Sequence, residues 1–257
     1  MSPELFTILM FAGVIVGVVV LGFPVAFTLG GLGFVFGMVF IGPDSMSTFL
    51  LRLLGAMKEN ILLAVPLFVL MGAVMERSGM AESLYEAMHV WLGGLRGGLA
   101  IATILICTAF AAATGVVGAS VVTMGLIALP AMIKRGYDKP LAAGTVIAGG
   151  TLGIIIPPSI MLVVMAPLGG MSLGKLYMAA EIPGLMLSAA FIAYIAVLCA
   201  ANPKYGPPMP KDERIMALGK KLVLLIANLV PPIFLIFAVL GAIFFGVTSP
   251  TEAAATG

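Results

Sequence analysis

The dominant pattern along the chain is a series of long tracts without a single Asp, Glu, Lys, Arg or His. They run from Leu5 to Pro43, Gly97 to Ile133, Pro140 to Gly174, Ile182 to Pro203 and Leu222 to Thr251. A helix needs roughly 20 predominantly apolar residues to cross a bilayer. The longest tracts therefore predict two spans each, or a span plus a re-entrant piece. In lipid, backbone amides must find partners within the protein, which favours helices. A transmembrane barrel would alternate polar and apolar residues, and these tracts do not. The pattern predicts an all-α, polytopic integral membrane protein.

Punctuation divides the tracts into elements. Helices are expected over 5–21 and 24–41, folded back at Gly22-Phe23-Pro24, then an interfacial helix over 46–58 capped by Asp44 or Ser45. A short span over 60–76 precedes an amphipathic interfacial helix over 80–93, with Leu84, Tyr85 and Met88 opposed to Glu82, Glu86 and His89. The tract over 97–133 is too long for one span, yet it has no polar loop where two full spans would turn in water. Its centre reads Ala113-Thr114-Gly115-Val116-Val117-Gly118-Ala119-Ser120, a turn tolerated at membrane depth only where protein or a wet cavity surrounds it. A re-entrant hairpin follows, with arms over 97–112 and 120–133 of roughly 24 and 21 Å. The next tract predicts a broken helix over 140–168. Its break lies over 150–159, where Pro157 and Pro158 remove two amide donors and Ile156 is pushed toward extended geometry. Beyond it come a short interfacial helix over 172–180, a span over 183–201, a polar loop over 202–221 and a last span over 222–246. Ser249-Pro250-Thr251-Glu252 reads as a capping box with proline at the first helical position. The sequence leaves that helix after a few residues, which reads as part of a longer protein.

Composition agrees with the pattern. Of 257 residues 61% are hydrophobic and 9% charged, against about 25% charged in a soluble domain; the mean hydropathy is +1.21. Cys107 and Cys199 sit inside apolar tracts as packing residues, and His89 lies on the polar side of its helix. Glu4 takes the place of the basic start a signal peptide would have. With the N-terminus outside, ten basic residues fall in inner loops (among them Arg77, Arg96, Lys134 and Arg135) and three (Arg52, Lys58 and Lys175) outside. That bias orients the chain with a periplasmic N-terminus and a hairpin entering from the cytoplasm.

The two breaks carry the candidate chemistry. Helix C-terminal ends and unwound carbonyls suit Na⁺, and helix N-terminal ends suit a carboxylate. Thr114, Gly115, Gly149, Gly150 and Thr151 are the candidate Na⁺ residues. Gly118, Ser120, Thr123, Pro157, Pro158 and Ser159 are the candidate substrate residues, with Ser120 and Ser159 each heading a half-helix. Neutral oxygens without an Asp or Glu nearby suit a monovalent cation better than Ca²⁺ or Mg²⁺. The absence of intramembrane charge argues against a proton relay and against an enzyme's acid–base equipment.

With those motifs in view, the chain resembles the large membrane subunit of the tripartite ATP-independent periplasmic (TRAP) transporters. Ala113–Gly125 (ATGVVGASVVTMG), Gly149–Ser159 (GGTLGIIIPPS) and Ser249–Ala253 (SPTEA) are similar to that family's signatures. Where many members carry a Ser-Gly-Ser-Ser tip, this chain has Thr114-Gly115-Val116-Val117. The resemblance implies a bacterial inner-membrane secondary transporter for small organic acids, driven by a Na⁺ gradient. It implies a periplasmic solute-binding protein and a small four-helix membrane subunit as partners, and two inverted repeats of which this chain covers the first. It also implies an elevator mechanism. Residues 1–93 would form scaffold helices and arms, 94–169 the moving transport region, 170–201 a connection, and 202–257 a cytoplasmic loop and the start of the second repeat. Two other readings stay open: a sodium-coupled carboxylate or anion carrier that needs no binding protein, and a non-transporting scaffold or channel subunit.

Overall fold

The computed structural model describes residues 3–115, 117–210 and 218–256, excepting the side chains of residues 3, 111–114, 218, 220 and 221. The described residues contain twelve α-helices and no β-strand. Four helical stretches are long and apolar enough to cross a membrane: Asn60–Arg77, Val117–Lys134, Leu173–Ala201 and Leu222–Phe244. The chain divides into two compact units, Met1–Glu59 and Asn60–Gly257.

In the first unit, α1 (Pro3–Ile15) continues through a wider π-helical turn over Val16–Val20 into Gly22, whose φ of 70° starts the reversal. α2 (Val25–Phe40) packs back along it. Phe6 stands edge-on to Phe36 and Phe40, and Gly17 leaves room for Thr28, whose Cγ2 would lie 2.4 Å from a Cβ placed there. Phe11, Val19 and Phe27 stay exposed, as a lipid-facing surface requires, because tails solvate them as well as a core would. α3 (Asp44–Met57) does not start as expected. Neither Asp44 nor Ser45 caps it: Pro43 holds that position without a side-chain bond, and Ser45 is turned inward against Gly37.

The second unit is built around the hairpin. A 3-10 turn (Asn60–Leu63) leads into α4 (Ala64–Arg77), and Gly79 at φ 76° turns the chain into α5 (Met80–Leu92). α6 (Gly98–Thr114) and α7 (Val117–Lys134) run antiparallel. Their bases are tied together: the Leu99 amide donates to the Tyr137 hydroxyl at 3.1 Å. The segment over 205–209 straps the same end. The Gly97 amide donates to the Gly206 carbonyl, Asp138 to Tyr205, and Met209 to Gly93. Burial pushes the Tyr137 phenol up to about 12, so the tie stays neutral at physiological pH. The hairpin arms are longer than expected, roughly 26 and 27 Å, because α6 runs to Thr114 and α7 begins already at Val117. Gly115 adopts the left-handed conformation (φ 60°). Val117, Gly118, Ala119 and Ser120 are already helical.

α8 (Lys139–Thr151) opens with Asp138 as N-cap, its carboxylate accepting from the Leu141 amide at 3.2 Å. The sequence pattern put the break from Gly150 onward. Instead α8 runs through both glycines and Thr151, then tightens into a 3-10 turn (Leu152–Ile154) before α9 (Ile160–Leu168). The glycines serve close packing. A Cβ on Gly149 would fall 2.7 Å from the Cys107 sulfur of α6, and one on Gly150 would fall 2.2 Å from Val121 Cγ2 of α7. α10 (Leu173–Ala201) is one helix of 29 residues rather than an interfacial helix and a separate span. Pro183 removes a single donor, and the turns on either side are held against the same neighbour. Gly184 lies against Ile156, and the Tyr177 hydroxyl donates to the Ser159 carbonyl at 3.4 Å. α11 (Leu218–Phe244) follows, and α12 (Pro250–Thr256) carries the expected capping box. The Ser249 amide donates to Glu252 Oε2 at 2.8 Å, holding that carboxyl below its usual range.

Along α10 the depth of the hairpin can be measured. Cys199 and Ile195 touch Gly97 at the hairpin base, Ser188 shares a 2.6 Å hydrogen bond with Thr108, and Gly184 reaches Ile155 and Ile156 at the break. From residue 199 to 184 is roughly 22 Å, and α10 continues roughly 16 Å further to Leu173. The hairpin tip meets the break and so ends well short of the far end of α10.

The glycine contacts predict a coupled effect. Gly150→Ala should lower stability by about 1–3 kcal/mol through overpacking. Val121→Ala removes the clashing methyl, so the double variant should be more stable than the two single losses add up to, by roughly 1 kcal/mol. Reversible unfolding of the purified protein in detergent reads this; additive losses would show that Gly150 and Val121 are not in contact.

Candidate functional site

Four helix ends converge where the hairpin tip meets the broken helix. α6 and the α8 turn bring C-terminal ends, whose last carbonyls lack intrahelical donors; α7 and α9 bring N-terminal ends, whose first amides lack intrahelical acceptors. The contact is close at Gly115. A Cβ there would sit 2.7 Å from the Pro158 carbonyl oxygen and 3.2 Å from the Ile160 amide nitrogen. Only a glycine meets both demands, a left-handed φ and no side chain. Pro157, Pro158 and Ser159 are buried.

The break is partly satisfied from within. The Leu152 carbonyl accepts from the amides of Ile155 and Ile156. In a continuous helix residues 157 and 158 would donate to Gly153 and Ile154, but both are prolines. Ser159 repairs one of these losses: its hydroxyl donates to the Ile154 carbonyl at 2.6 Å instead of capping α9. The Gly153 carbonyl keeps no helical donor, and Gly153 is buried. A carbonyl oxygen without its helical donor, beside a helix N-terminus, is the kind of donor a dehydrated monovalent cation takes.

The sequence-predicted Na⁺ residues divide accordingly. Gly115 is at the junction, and Thr114 ends α6 beside it, its side chain outside the described residues. Thr151 lies one turn before the break and its hydroxyl donates to the Ala148 carbonyl at 2.7 Å. Gly149 and Gly150 do not offer free carbonyls, since both accept from the Leu152 amide, and their faces are spent on packing. Gly115 and Thr114 thus lie at the junction, and Gly149 and Gly150 are packed against α6 and α7.

The candidate substrate residues also divide. Ser159 heads α9 as expected, with Pro157 and Pro158 before it. Ser120 does not head α7; it is the fourth residue of that helix and is buried, one turn below the tip. Gly118 is exposed with open space around it. Thr123 lies a turn further down, and its hydroxyl donates to the Glu76 carboxylate from the last turn of α4. Glu76, Ser120, Thr123, Phe110, Ala119 and Met124 line a cleft too narrow for water. The reading that no carboxylate lies near the breaks is thereby corrected. Glu76 was missed because a charge at the end of a span reads as an edge residue, and nothing local joins positions 76 and 123. A second carboxylate, Glu181, is half-buried on α10, between Tyr177 and Gly184 along the helix. One of its oxygens is shut from solvent and bonded to no described group.

A family model described as the tripartite ATP-independent periplasmic transporter, DctM component, matches residues 11–257. The chain belongs to this family. It is 38% identical over 228 residues to the C4-dicarboxylate TRAP transporter large permease protein DctM of Pseudomonas aeruginosa, covering 88% of this chain and 51% of that protein. To the protein of the same name from Vibrio cholerae it is 35% identical over 243 residues, 94% of this chain and 52% of the relative. To the ectoine TRAP transporter large permease protein TeaC of Halomonas elongata it is 32% identical over 244 residues, 93% and 55%. The chain spans about half the length of the curated relatives it matches. The tip and the Pro-Pro break thus lie within a DctM-family chain.

Two glycines of the tip should separate junction from surroundings. Gly115→Ala must strain a left-handed residue and push the tip off Pro158, so it should cost roughly 1–3 kcal/mol and reduce transport. Gly118→Ala meets nothing and sits in a helix, where alanine is favoured by about 1 kcal/mol. Thermal unfolding of both variants checks this, and equal effects at the two positions would remove Gly115 from any special contact with the break.

Proposed function

We propose that this chain is the hairpin-bearing half of a permease subunit that carries small organic acids across the bacterial inner membrane, driven by a Na⁺ gradient. The observation that supports it most is the meeting of Gly115 with the Pro157-Pro158 break, which gathers four helix ends and an unpaired carbonyl below the surface of the bilayer. Of the candidate Na⁺ residues Thr114, Gly115, Gly149, Gly150 and Thr151, Thr114 and Gly115 lie at the junction, and the Gly153 carbonyl joins them in this reading. Bound there, the ion would supply the electrical driving force, about 2.3 kcal/mol per charge and 100 mV. The helix N-termini at Val117 and Ile160 would orient a substrate carboxylate. In this reading the N-terminus is periplasmic. A periplasmic solute-binding protein delivers the substrate, and a small four-helix membrane subunit completes the assembly. Names of the relatives favour C4-dicarboxylates and ectoine as the first compounds to try.

The same reading includes elevator movement: the hairpin and broken helix shift against α4, which counts with the scaffold. The Thr123–Glu76 hydrogen bond would then exist in one state and break in the other. The full-length transporter carrying Glu76→Cys and Thr123→Cys, bridged by a bis-methanethiosulfonate reagent, should lose at least about 90% of Na⁺-driven succinate or ectoine uptake in proteoliposomes supplied with the binding protein. Reduction should restore it. Undiminished uptake by the bridged protein would mean that α4 and the hairpin move together.

A further inference from the structure

We propose that the cavity between α5 and the base of the hairpin holds the phosphodiester headgroup of an anionic phospholipid. The cavity has a volume of about 490 Å³ and is lined by Tyr85, Glu86, His89, Ala131, Lys134 and Arg135. Three of these come from one turn of amphipathic α5, two from the last turn of α7, and Arg135 follows directly after it. They face each other because Leu84 and Tyr85 are buried in the same core as Ala128 and Met132.

Charge, shape and place agree on the occupant. Among the described residues that line it, Lys134 and Arg135 carry two positive charges and Glu86 one negative, so the described wall is net positive. Arg135 lines the cavity together with Tyr85 and acts electrostatically on the Tyr85 phenol. The His89 ring stacks on Tyr85 with centroids 6.5 Å apart. Together with Ala131 these rings form an apolar side on which a glycerol backbone can lie. The volume is that of a small-molecule site. The site is at the end of the hairpin where basic residues collect, hence at a membrane–water boundary, where phospholipid phosphates are the most concentrated anions. A free phosphate would gain the charge but leave the apolar wall uncovered, which is why the lipid is the occupant inferred. A plainer role exists for the two cations, because Lys134 and Arg135 close α7 and offset its negative end. That role requires no lipid.

The test uses the purified full-length transporter in phosphatidylcholine-containing micelles, titrated with phosphatidylglycerol while thermal stability is followed. Phosphatidylglycerol should raise the melting temperature saturably. Lys134→Ala/Arg135→Ala should weaken the apparent affinity by roughly 25-fold, about fivefold per basic residue. Lys134→Arg should leave it nearly unchanged, and Glu86→Gln should tighten it several-fold. Arg52→Ala/Lys58→Ala, which removes equal charge elsewhere, should leave the titration unaltered. If the Lys134/Arg135 variant titrates like wild type, the cations serve only the end of the helix and the proposal falls. It falls equally if inorganic phosphate reproduces the full shift, since the cavity would then be a phosphate site. Should the double alanine variant fail to fold, Glu86→Gln decides alone: unchanged or weaker affinity for phosphatidylglycerol overturns the assignment.

Discussion

Everything in the second unit follows from one constraint: a backbone group inside a bilayer must find its partner in the protein, because no water is there to serve it. The Pro157-Pro158 step takes two donors away in the middle of an apolar tract. The fold answers with the Ser159 hydroxyl on Ile154, the Tyr177 hydroxyl on Ser159, and the hairpin tip pressed on Pro158. What is left over, the Gly153 carbonyl and the amides that open α7 and α9, is concentrated at one junction. Packing elsewhere serves that junction. Gly149, Gly150 and Gly184 are small so that α6, α7 and α10 can close around it, and the strap at residues 205–209 holds the hairpin base shut.

Much of this was legible in the sequence because the signals were covalent and local. Uncharged tracts gave membrane helices, Gly115 gave the hairpin turn, two prolines gave the break, and Ser249 with Glu252 gave the capping box. What escaped was the use to which a residue is put by something distant. Gly149 and Gly150 look like a break in isolation, yet Cys107 and Val121, about 40 and 30 positions away, make them contact glycines inside a helix. Pro183 looks like a boundary, and contacts with Ile156 and Ser159 keep its helix whole. Glu76 looks like an edge charge until Thr123 is brought to it. Ser120 looks like a helix start because the glycines around it suggest a longer turn than Gly115 needs.

Membership of the DctM family places these features in a permease while leaving the chemistry to the residues. The relatives are about twice as long as this chain, and their printed names differ in substrate. The junction described here is made of backbone and hydroxyl groups, which bind ions and carboxylates without distinguishing one organic acid from another. Carboxylates do stand nearby, at Glu76 on the hairpin flank and at Glu181 in α10, and intramembrane carboxylates are retained where they are used.

The central claim is that the unpaired backbone of the Pro-Pro break is part of the ion site. It is tested most directly by Na⁺-dependent thermal stabilisation of the full-length transporter, wild type against Pro157→Ala/Pro158→Ala. Alanines allow the helix to close through the break, with a propensity gain of about 3 kcal/mol per proline, and the Gly153 carbonyl is then taken by an internal amide. The account predicts that Na⁺ raises the melting temperature of the wild type and that the variant, though folded and inserted, loses most of that shift. A variant that keeps the full sodium-induced shift would contradict it.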